Sequence, residues 1–418
     1  MQGGTVTTRL IDGIARITLE SSPGNALDSA TRHALAAALS GIEAALQGDN
    51  GPRGVVLTGA NGVFSVGVDL RELDRPGKGA ELAAICRRLE RLPVPVVAAL
   101  PGSAIGGGAE LALAAHYRLA VGEARFGLPD IVLGLPPGAG GGQRLAALCG
   151  ARAALDLLLR GRPITAQVAR EMGVLDGIVT DDLLGAAHAL AAQLAAAGIR
   201  PRPVAGRRER MADGAEWLDT VRGKQSAIAQ AALRSAARIV DCIEAALLLP
   251  AGAALRFERT AHADALADPQ FLALRHVYFA ERRISTALLE RRPGRAGPTA
   301  LGRGLLAVLT RGSEGLSGQR RLAASVAQGA RLLAAGRVAR ASDIDALAVH
   351  GLGWSRLTGG PFFEARQQGL GPLVERMQFW AEEDPVFNTP SLLRAATETD
   401  DDIDAALRRG RSEVVRTG

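Results

Sequence analysis

The 418-residue chain has few cysteines and no long apolar run, and each shortage excludes a class of protein. Cys86, Cys149 and Cys242 are odd in number and lack metal-ligand spacing, so we expect reduced core thiols rather than a disulfide framework. No apolar run reaches the ~20 residues of a transmembrane helix, and the first residues lead directly into strand-like sequence. These features predict a cytoplasmic protein that does not associate with membranes.

Lysine and aromatic residues are also scarce. Lys78 and Lys224 are the only lysines, so arginine supplies nearly all of the positive charge, and the formal net charge is +6. Aromatic residues make up 3% of the chain and no basic stripe alternates with them, so nucleic-acid binding is not expected. The arginine bias is typical of a GC-rich genome, although a basic surface would also suit a small ligand that carries phosphate groups.

The six histidines show no pair at metal-ligand spacing, so no metal site is predicted. His116, which follows an apolar helical stretch, is interpreted as a residue that satisfies a local hydrogen bond. His276 and His350 lie in predicted helical or linker sequence and are given structural roles.

The first ~190 residues alternate β-branched runs with helical stretches, a pattern that predicts an α/β fold. The predicted strands are 14–19, 55–58, 94–100 and 178–180, and the predicted helices are 30–46 and 166–172. Thr165 is the expected N-cap of the second helix and Gly173 its end.

From Leu183 onward the sequence is nearly all helical. Four helices are predicted here: 227–248, 268–283, 317–335 and a short helix capped by 342–345. Ser226 is the expected cap of the first, and Asp268-Pro269 starts the second. The acidic residues 397–402 are expected to fray. A stretch rich in helix breakers, 291–298, marks a domain boundary. The predicted organisation is therefore an α/β domain at 1–190, a helical linker at 191–290 and an all-α C-terminal domain at 300–418.

A glycine-rich turn, Gly106-Gly107-Gly108, precedes a strong helix former at 109–115. Such a turn leaves backbone N–H groups free at a helix start, where they can bind an anion, but it could equally serve only tight strand-to-helix packing. Glu110 lies on this otherwise apolar helix. Because a buried acid without a partner is costly, Glu110 is a candidate functional residue.

Three further segments complete the candidate site. Asp130 follows Phe126-Gly-Leu-Pro and could be a functional acid or only a helix cap. A second glycine-rich turn, 134–144, enters another helix, and the loop 64–71 follows an apolar strand at the end where α/β sheets bind ligands. Two acids beside free N–H groups are what polarising a thioester carbonyl and moving protons at its α and β carbons require.

Residues 1 to about 190 closely resemble the crotonase (enoyl-CoA hydratase/isomerase) superfamily. The resemblance is carried by Gly59, Phe64-Ser-Val-Gly-Val-Asp69, Pro101-Gly-Ser-Ala-Ile-Gly-Gly-Gly-Ala-Glu110, Phe126-Gly-Leu-Pro-Asp130 and Pro137-Gly-Ala-Gly-Gly-Gly-Gln-Arg144. It implies a crotonase-type ββα spiral core. It also implies hydration of 2-trans-enoyl-CoA thioesters in fatty-acid β-oxidation, with no metal and no redox cofactor.

The resemblance implies a role for each matched residue. The backbone N–H groups of Val68 and Gly107 would form the oxyanion hole. Glu110 would hold and deprotonate the attacking water, and Asp130 would share that water and protonate the α carbon. Coenzyme A would bind along the loop, at Ser65, Val66, Asp69, Leu70 and Arg71, with the Arg71 guanidinium directed at its phosphates.

Asp130 departs from the family pattern, since hydratases of this family normally carry glutamate there. Aspartate withdraws the carboxylate by one methylene, roughly 1.5 Å. A displacement of that size can lower a rate by orders of magnitude. The alternative activity is a Δ3,Δ2-enoyl-CoA isomerase, which can operate with a single well-placed carboxylate.

The remaining sequence resembles parts of multifunctional β-oxidation enzymes, in which a hydratase is fused to a 3-hydroxyacyl-CoA dehydrogenase. Residues 236–249 and 271–283 are similar to their linker, and 340–345, 351–354 and 359–363 to their last helical domain. The chain contains no GxGxxG, and 283–317 is too short for a nicotinamide-binding domain, so dehydrogenase activity is not expected. A weakly catalytic assembly subunit is a second alternative. The resemblance also implies a homo-oligomer, with a thiolase or a dehydrogenase as a candidate partner.

Overall fold

The computed structural model describes residues 6–73, 81–199, 201–292, 295–311, 313–399 and 403–409. The start at 1–4, Lys78 and the acidic residues 400–402 lie outside these ranges. The chain divides into two compact units, Met1–Ala267 and Asp268–Gly418. The predicted linker at 191–290 is thus shared between the units, and the boundary predicted at 291–298 falls inside the second. Among the described residues, no helix combines the length and the apolar character that crossing a bilayer requires.

The first unit is built on a six-stranded mixed sheet. The strands of the whole unit, in chain order, are β1 (Val6–Ile11), β2 (Ile14–Leu19), β3 (Gly54–Gly59), β4 (Val96–Leu100), β5 (Ala104–Ile105), β6 (Tyr117–Val121), β7 (Arg125–Gly127), β8 (Ile164–Thr165) and β9 (Gly177–Val179). The main sheet has the order β1-β2-β3-β4-β6-β9, and only its first pair is antiparallel. Strands β5, β7 and β8 form a second, smaller sheet. The four predicted strands are confirmed, apart from their ends.

The helices of the first unit are α1 (Ser29–Ala45), α2 (Leu82–Glu90), α3 (Gly107–Leu113), α4 (Gly141–Arg160), α5 (Ala166–Glu171), α6 (Leu183–Ala196), α7 (Gly214–Ile228), α8 (Arg234–Leu248) and α9 (Ala251–Leu266), with 3-10 turns at Asp130–Leu133, Val204–Gly206 and Glu209–Met211. Helix α1 begins where the Asp28 carboxylate accepts from Thr31 N at 2.8 Å. The predicted cap of α5 is confirmed, because Thr165 Oγ1 accepts from Val168 N at 3.2 Å. Strands β3 and β4 are buried along their whole length, as expected of parallel strands covered on both faces.

The predicted helix at 227–248 is wrong in its first third. Ser226 lies inside α7, and the N-cap of that helix is Asp213, whose carboxylate accepts from Glu216 N at 2.9 Å. The chain then reverses before α8, so that the buried side of α7 faces α8. Trp217 is buried there and donates its Nε1–H to Ile243 O at 3.0 Å. Packing of the two apolar faces, rather than local propensity, explains the break.

The second unit is mainly helical. Its helices are α10 (Pro269–Arg283), α11 (Ala300–Thr310), α12 (Gly318–Ala334), α13 (Ala341–Gly351), α14 (Pro361–Gln368), α15 (Leu370–Trp380) and α16 (Ser391–Glu398), with helical residues also at 403–409. The predicted start of α10 is confirmed, since Asp268 accepts from Gln270 N at 3.0 Å. Helix α13 starts one residue before Ser342, so Ser342 lies inside the helix and does not cap it.

An antiparallel hairpin, β10 (Leu289–Arg292) with β11 (Arg295–Pro298), occupies most of the stretch predicted to be a breaker-rich junction. Two histidine–carboxylate contacts connect α10 to α13: His276 with Asp345 at 2.8 Å, and His350 with Glu281 at 2.6 Å. These contacts give both histidines the structural role expected of them.

Candidate active site

Glycines allow the loop before Asp69 to lie directly against the start of α3. A Cβ atom on Gly67 would stand 2.6 Å from Ile105 O, and one on Gly108 would stand 2.6 Å from Ser65 O. Gly106 has a φ of +53°, in the left-handed region that favours glycine. The glycine cluster is therefore required for close packing, whatever else it does.

The same packing brings the backbone of Val68 and Gly107 together. The position that a Cβ atom would take on Gly107 is 3.4 Å from Val68 N. Neither of these two N–H groups has a backbone or side-chain acceptor in the part of the chain that the structure describes. Two adjacent free donors can stabilise negative charge on one oxygen atom.

Glu110 lies one turn into α3 and is 4% exposed. Its Oε1 accepts from Ala139 N at 2.7 Å and from Gly141 N at 2.9 Å, so the second glycine-rich turn wraps around the carboxylate. Burial, together with the negative charges of Asp130 and Glu258, raises the pKa of Glu110 to about 8. A carboxyl group in this state can exchange a proton near neutral pH.

Asp130 is the first residue of the 3-10 turn that follows β7. Its Oδ2 is buried and has no hydrogen-bond partner among the described residues. Burial raises the pKa of Asp130 above its ordinary value, and the charge of His262 acts in the opposite direction. Asp130 and Glu110 line the same cavity.

Glu258 is a third carboxylate near the site, and it was not predicted from the sequence. It lies on α9, is fully buried, and accepts from Gly142 N at 3.3 Å and from Gln143 N at 3.0 Å. Burial raises the pKa of Glu258 to about 7. One signal was present in the sequence: Glu258 shares the buried face of α9 with Ala254 and Ala265.

His262, one helical turn after Glu258, was also missed. Its Nδ1 lies 2.7 Å from Pro136 O, and its ring stacks so closely on Gly138 that a Cβ there would stand 2.7 Å from the ring Cγ. No short motif marks this histidine, because the groups that it contacts are more than one hundred residues earlier in the chain.

The cavity has a volume of about 340 Å³. Its apolar wall comes mainly from Val68, Leu82, Ala139, Ala263 and Leu266, and its ionisable lining is Arg32, Asp69, Glu72, Glu81, Glu110, Asp130, Arg259 and His262. The structure thus brings together five residues that were selected from the sequence: Val68, Asp69, Gly107, Glu110 and Asp130.

The residues expected to bind coenzyme A differ in their exposure, and only some of them line the cavity. Asp69 lines the cavity, and Arg71 pairs with it at 2.7 Å while its own side chain is 69% exposed. Val66 is exposed, whereas Ser65 is buried and its Oγ donates to Asn25 O at 2.7 Å. Ser65 therefore holds the loop in place. Leu70 lies between Asp69 and Arg71 and is half-buried.

Other motif residues form a buried structural network beside the site. Arg144 pairs with Glu90 at 2.9 Å and donates to Ala139 O at 2.7 Å. His116 is buried and its Nδ1 accepts from Val96 N at 3.0 Å, as the sequence analysis expected. The three cysteines are free thiols, and burial raises the pKa of Cys86 and Cys149 to about 12 and raises that of Cys242 as well.

The family model described as enoyl-CoA hydratase/isomerase matches residues 10–208, so this part of the chain is a domain of the enoyl-CoA hydratase/isomerase (crotonase) family. The resemblance seen in the motifs is confirmed, and so is the fold class.

The similarity to curated relatives extends beyond this domain. The peroxisomal bifunctional enzyme of Danio rerio is 37% identical over 273 residues, which are 64% of this chain and 37% of the relative. The fatty acid oxidation complex subunit alpha of Shewanella halifaxensis is 32% identical over 290 residues, 65% of this chain and 40% of the relative. The chain therefore spans at most about two fifths of the length of these two relatives.

Solved structures with a similar backbone include an enoyl-CoA hydratase/isomerase from Pseudoalteromonas atlantica, with 23% identity, a TM-score of 0.49 and coverage of 66% of this chain and 97% of that one. Another is an enoyl-CoA hydratase from Bacillus anthracis, with 26% identity, a TM-score of 0.41 and coverage of 67% and 97%.

Proposed function

We propose that the first unit hydrates 2-trans-enoyl-CoA thioesters to 3-hydroxyacyl-CoA thioesters. One observation carries the proposal: two carboxyl groups, Glu110 and Asp130, line the same cavity as two free backbone donors, Val68 and Gly107. The names of the relatives support fatty-acid oxidation as the setting.

In the proposed reaction the thioester oxygen accepts hydrogen bonds from Val68 N and Gly107 N. These donors bind the enolate oxygen of the transition state more strongly than the carbonyl oxygen of the substrate. The oxygen of a water molecule bonds to the β carbon while one carboxylate removes a water proton. The other carboxyl group donates a proton to the α carbon, so one water is added in total.

Coenzyme A is proposed to bind along the loop from Ser65 to Arg71. The exposed Arg71 guanidinium is the proposed partner of its phosphates and would leave its contact with Asp69 to bind them. No metal ion or redox cofactor takes part in the proposed reaction.

Hydration of crotonyl-CoA, followed by loss of the absorbance of the conjugated thioester, tests the proposal. Wild type should turn over, and Glu110→Gln should lower kcat by about 10²- to 10⁴-fold, the usual contribution of a general acid or base. Circular dichroism of the variant checks that it remains folded.

Asp130→Glu tests whether the short side chain at 130 limits hydration, and the substrate that the wild type converts distinguishes hydratase from isomerase. Glutamate returns the carboxylate to the length usual in hydratases, so faster hydration by this variant would mean that Asp130 limits the rate. A wild type that is inert toward crotonyl-CoA but converts a 3-enoyl-CoA would contradict the hydratase proposal and assign the isomerase reaction to the same cavity.

A further inference from the structure

The second unit has a cavity of its own, with a volume of about 420 Å³. All of its lining residues lie in Asp268–Gly418. Phe362, Phe363, Leu370 and Ile403 supply its apolar wall, and a small number of polar and charged side chains complete the lining. A cavity of this size that combines aromatic and aliphatic walls with a few polar groups is the usual form of a small-molecule binding site.

The two carboxylates of this cavity are already bonded to donors of the chain itself. Asp345 is 1% exposed; one of its oxygens accepts from Phe362 N at 2.7 Å, at the start of α14, and the other contacts His276 Nε2 at 2.8 Å. Asp404 accepts from Ala341 N at 2.9 Å, at the start of α13. Both carboxylates therefore hold helix starts in place.

Ser342, the second residue of α13, has two donors without an acceptor. It lines the cavity and is 6% exposed, and its buried Oγ has no hydrogen-bond partner among the described residues. Its backbone N–H likewise has no acceptor within those ranges. A buried hydroxyl group without a partner is costly, and the free N–H groups at a helix start favour an anion. A bound anion would supply the acceptor that Ser342 lacks.

Two arginines supply positive charge to the same cavity. Arg283 and Arg366 both line it, both are exposed, and neither has a carboxylate partner in the part of the chain that the structure describes. Arg366 lies over the Phe363 ring, 5.5 Å from its centroid, and Arg283 Nε donates to Phe279 O at 3.4 Å. A guanidinium group can bind a carboxylate through two parallel hydrogen bonds. The lining therefore offers charged donors for an anionic group together with an apolar wall.

We propose that this cavity binds a small organic acid that has a single carboxylate and an apolar body. The carboxylate accepts hydrogen bonds from Ser342 and from the two arginines, and the apolar body packs against Phe362 and Phe363. A phosphate group would bring a second negative charge toward Asp345 and Asp404, so a single carboxylate is the better match. The site lies in the second unit, and the inference does not depend on the proposed hydratase reaction.

Isothermal titration calorimetry of the full chain with hexanoate and with phenylacetate tests the site, since one acid has an aliphatic body and the other an aromatic one. The double variant Arg283→Gln, Arg366→Gln should weaken binding by about tenfold or more, because a hydrogen bond to a charged group contributes on that scale. Phenylacetamide, which is neutral, should bind more weakly than phenylacetate.

The double variant Arg376→Gln, Arg394→Gln is the matched control. It also removes two exposed arginines, but neither of them lines the cavity, so the dissociation constant should stay that of wild type. Binding of either acid with this pattern supports the proposal and shows which body the wall prefers. Failure of both acids to bind, or an equal loss of affinity in the two double variants, would overturn it.

Ser342→Ala separates ligand binding from a structural role. Because Oγ has no partner among the described residues, its removal should leave the free energy of unfolding of the free protein unchanged or higher, as measured by urea denaturation. The same variant should weaken acid binding by about fivefold, the scale of one hydrogen bond. A less stable free protein would show that Oγ bonds within the fold, and an unchanged affinity would show that it does not contact the acid; either result overturns the proposal.

Discussion

Glu110 on α3 and Glu258 on α9 both contact the first turn of α4. Glu110 accepts from Gly141 N and Glu258 from Gly142 N and Gln143 N, so both carboxyl groups satisfy N–H groups that a helix start leaves free. Both are buried, and burial raises the pKa of Glu258 to about 7 and that of Glu110 to about 8. The first unit should therefore bind protons more tightly when it is folded than when it is unfolded.

We expect the free energy of unfolding to fall as the pH rises. A carboxyl group with a raised folded-state pKa stabilises the fold fully below its ordinary pKa, and that stability is lost as the pH rises through the folded-state pKa. Between pH 5 and 7 each such group should lower the free energy of unfolding by up to about 1.4 kcal/mol for every unit by which the pH rises. Urea denaturation of wild type at pH 5, 6, 7 and 8 measures the slope.

Glu258→Gln is the matched variant for this prediction. The amide oxygen can still accept from α4, but the side chain no longer titrates, so the slope between pH 5 and 7 should become shallower. Parallel slopes for wild type and variant would contradict the prediction, because Glu258 would then contribute nothing to the pH dependence.

The site residues that lie in short motifs are predictable from the sequence, and those that reach the site only through tertiary packing are not. Glu110 and Asp130 each follow a glycine or proline turn that marks them locally. Glu258 and His262 lie on α9 and meet the turn at 136–143 only through tertiary packing. A carboxylate on the buried face of a helix was the available signal for Glu258, and His262 had none.

At the scale of the element, the glycine at the start of α4 has a specific function. A Cβ on Gly141 would stand 2.8 Å from Glu110 Oε1, so Gly141→Ala should displace the carboxylate. A shift of about 1 Å can cost about 10²-fold, and we expect a loss of that order in kcat for crotonyl-CoA hydration.

Gly41→Ala is the control for Gly141→Ala. Gly41 lies in α1 with open space around the position of a Cβ, so alanine should raise the free energy of unfolding by about 1 kcal/mol and leave kcat unchanged. Equal kinetic effects of the two substitutions would mean that contact with Glu110 is not the cause.

Helices were predicted well where a cap and a breaker delimit them, and poorly where composition is uniform. Thr165 and Asp268 mark α5 and α10, and both starts are confirmed. The alanine-rich sequence after residue 226 favours helix throughout and contains no breaker before Pro250. The end of α7 and the start of α8 are set by the burial of Trp217 against Ile243, which local sequence does not reveal.

At the scale of the whole molecule, the candidate site belongs to one unit. Every residue that lines the cavity, from Arg32 to Leu266, lies in Met1–Ala267. The hydrophobic core around the site also lies in that range, and the second unit has a core of its own. Each unit thus has the burial that an independent domain needs.

We therefore expect residues 1–267 to fold alone and to hydrate crotonyl-CoA with the kcat and KM of the full chain. Circular dichroism establishes folding, and the absorbance assay measures turnover. Size-exclusion chromatography of both forms with candidate thiolase or dehydrogenase partners tests the alternative of an assembly subunit, which predicts that complex formation is lost with the second unit while turnover remains. A folded 1–267 fragment without turnover would contradict the prediction, because the site would then require residues that the cavity does not contain.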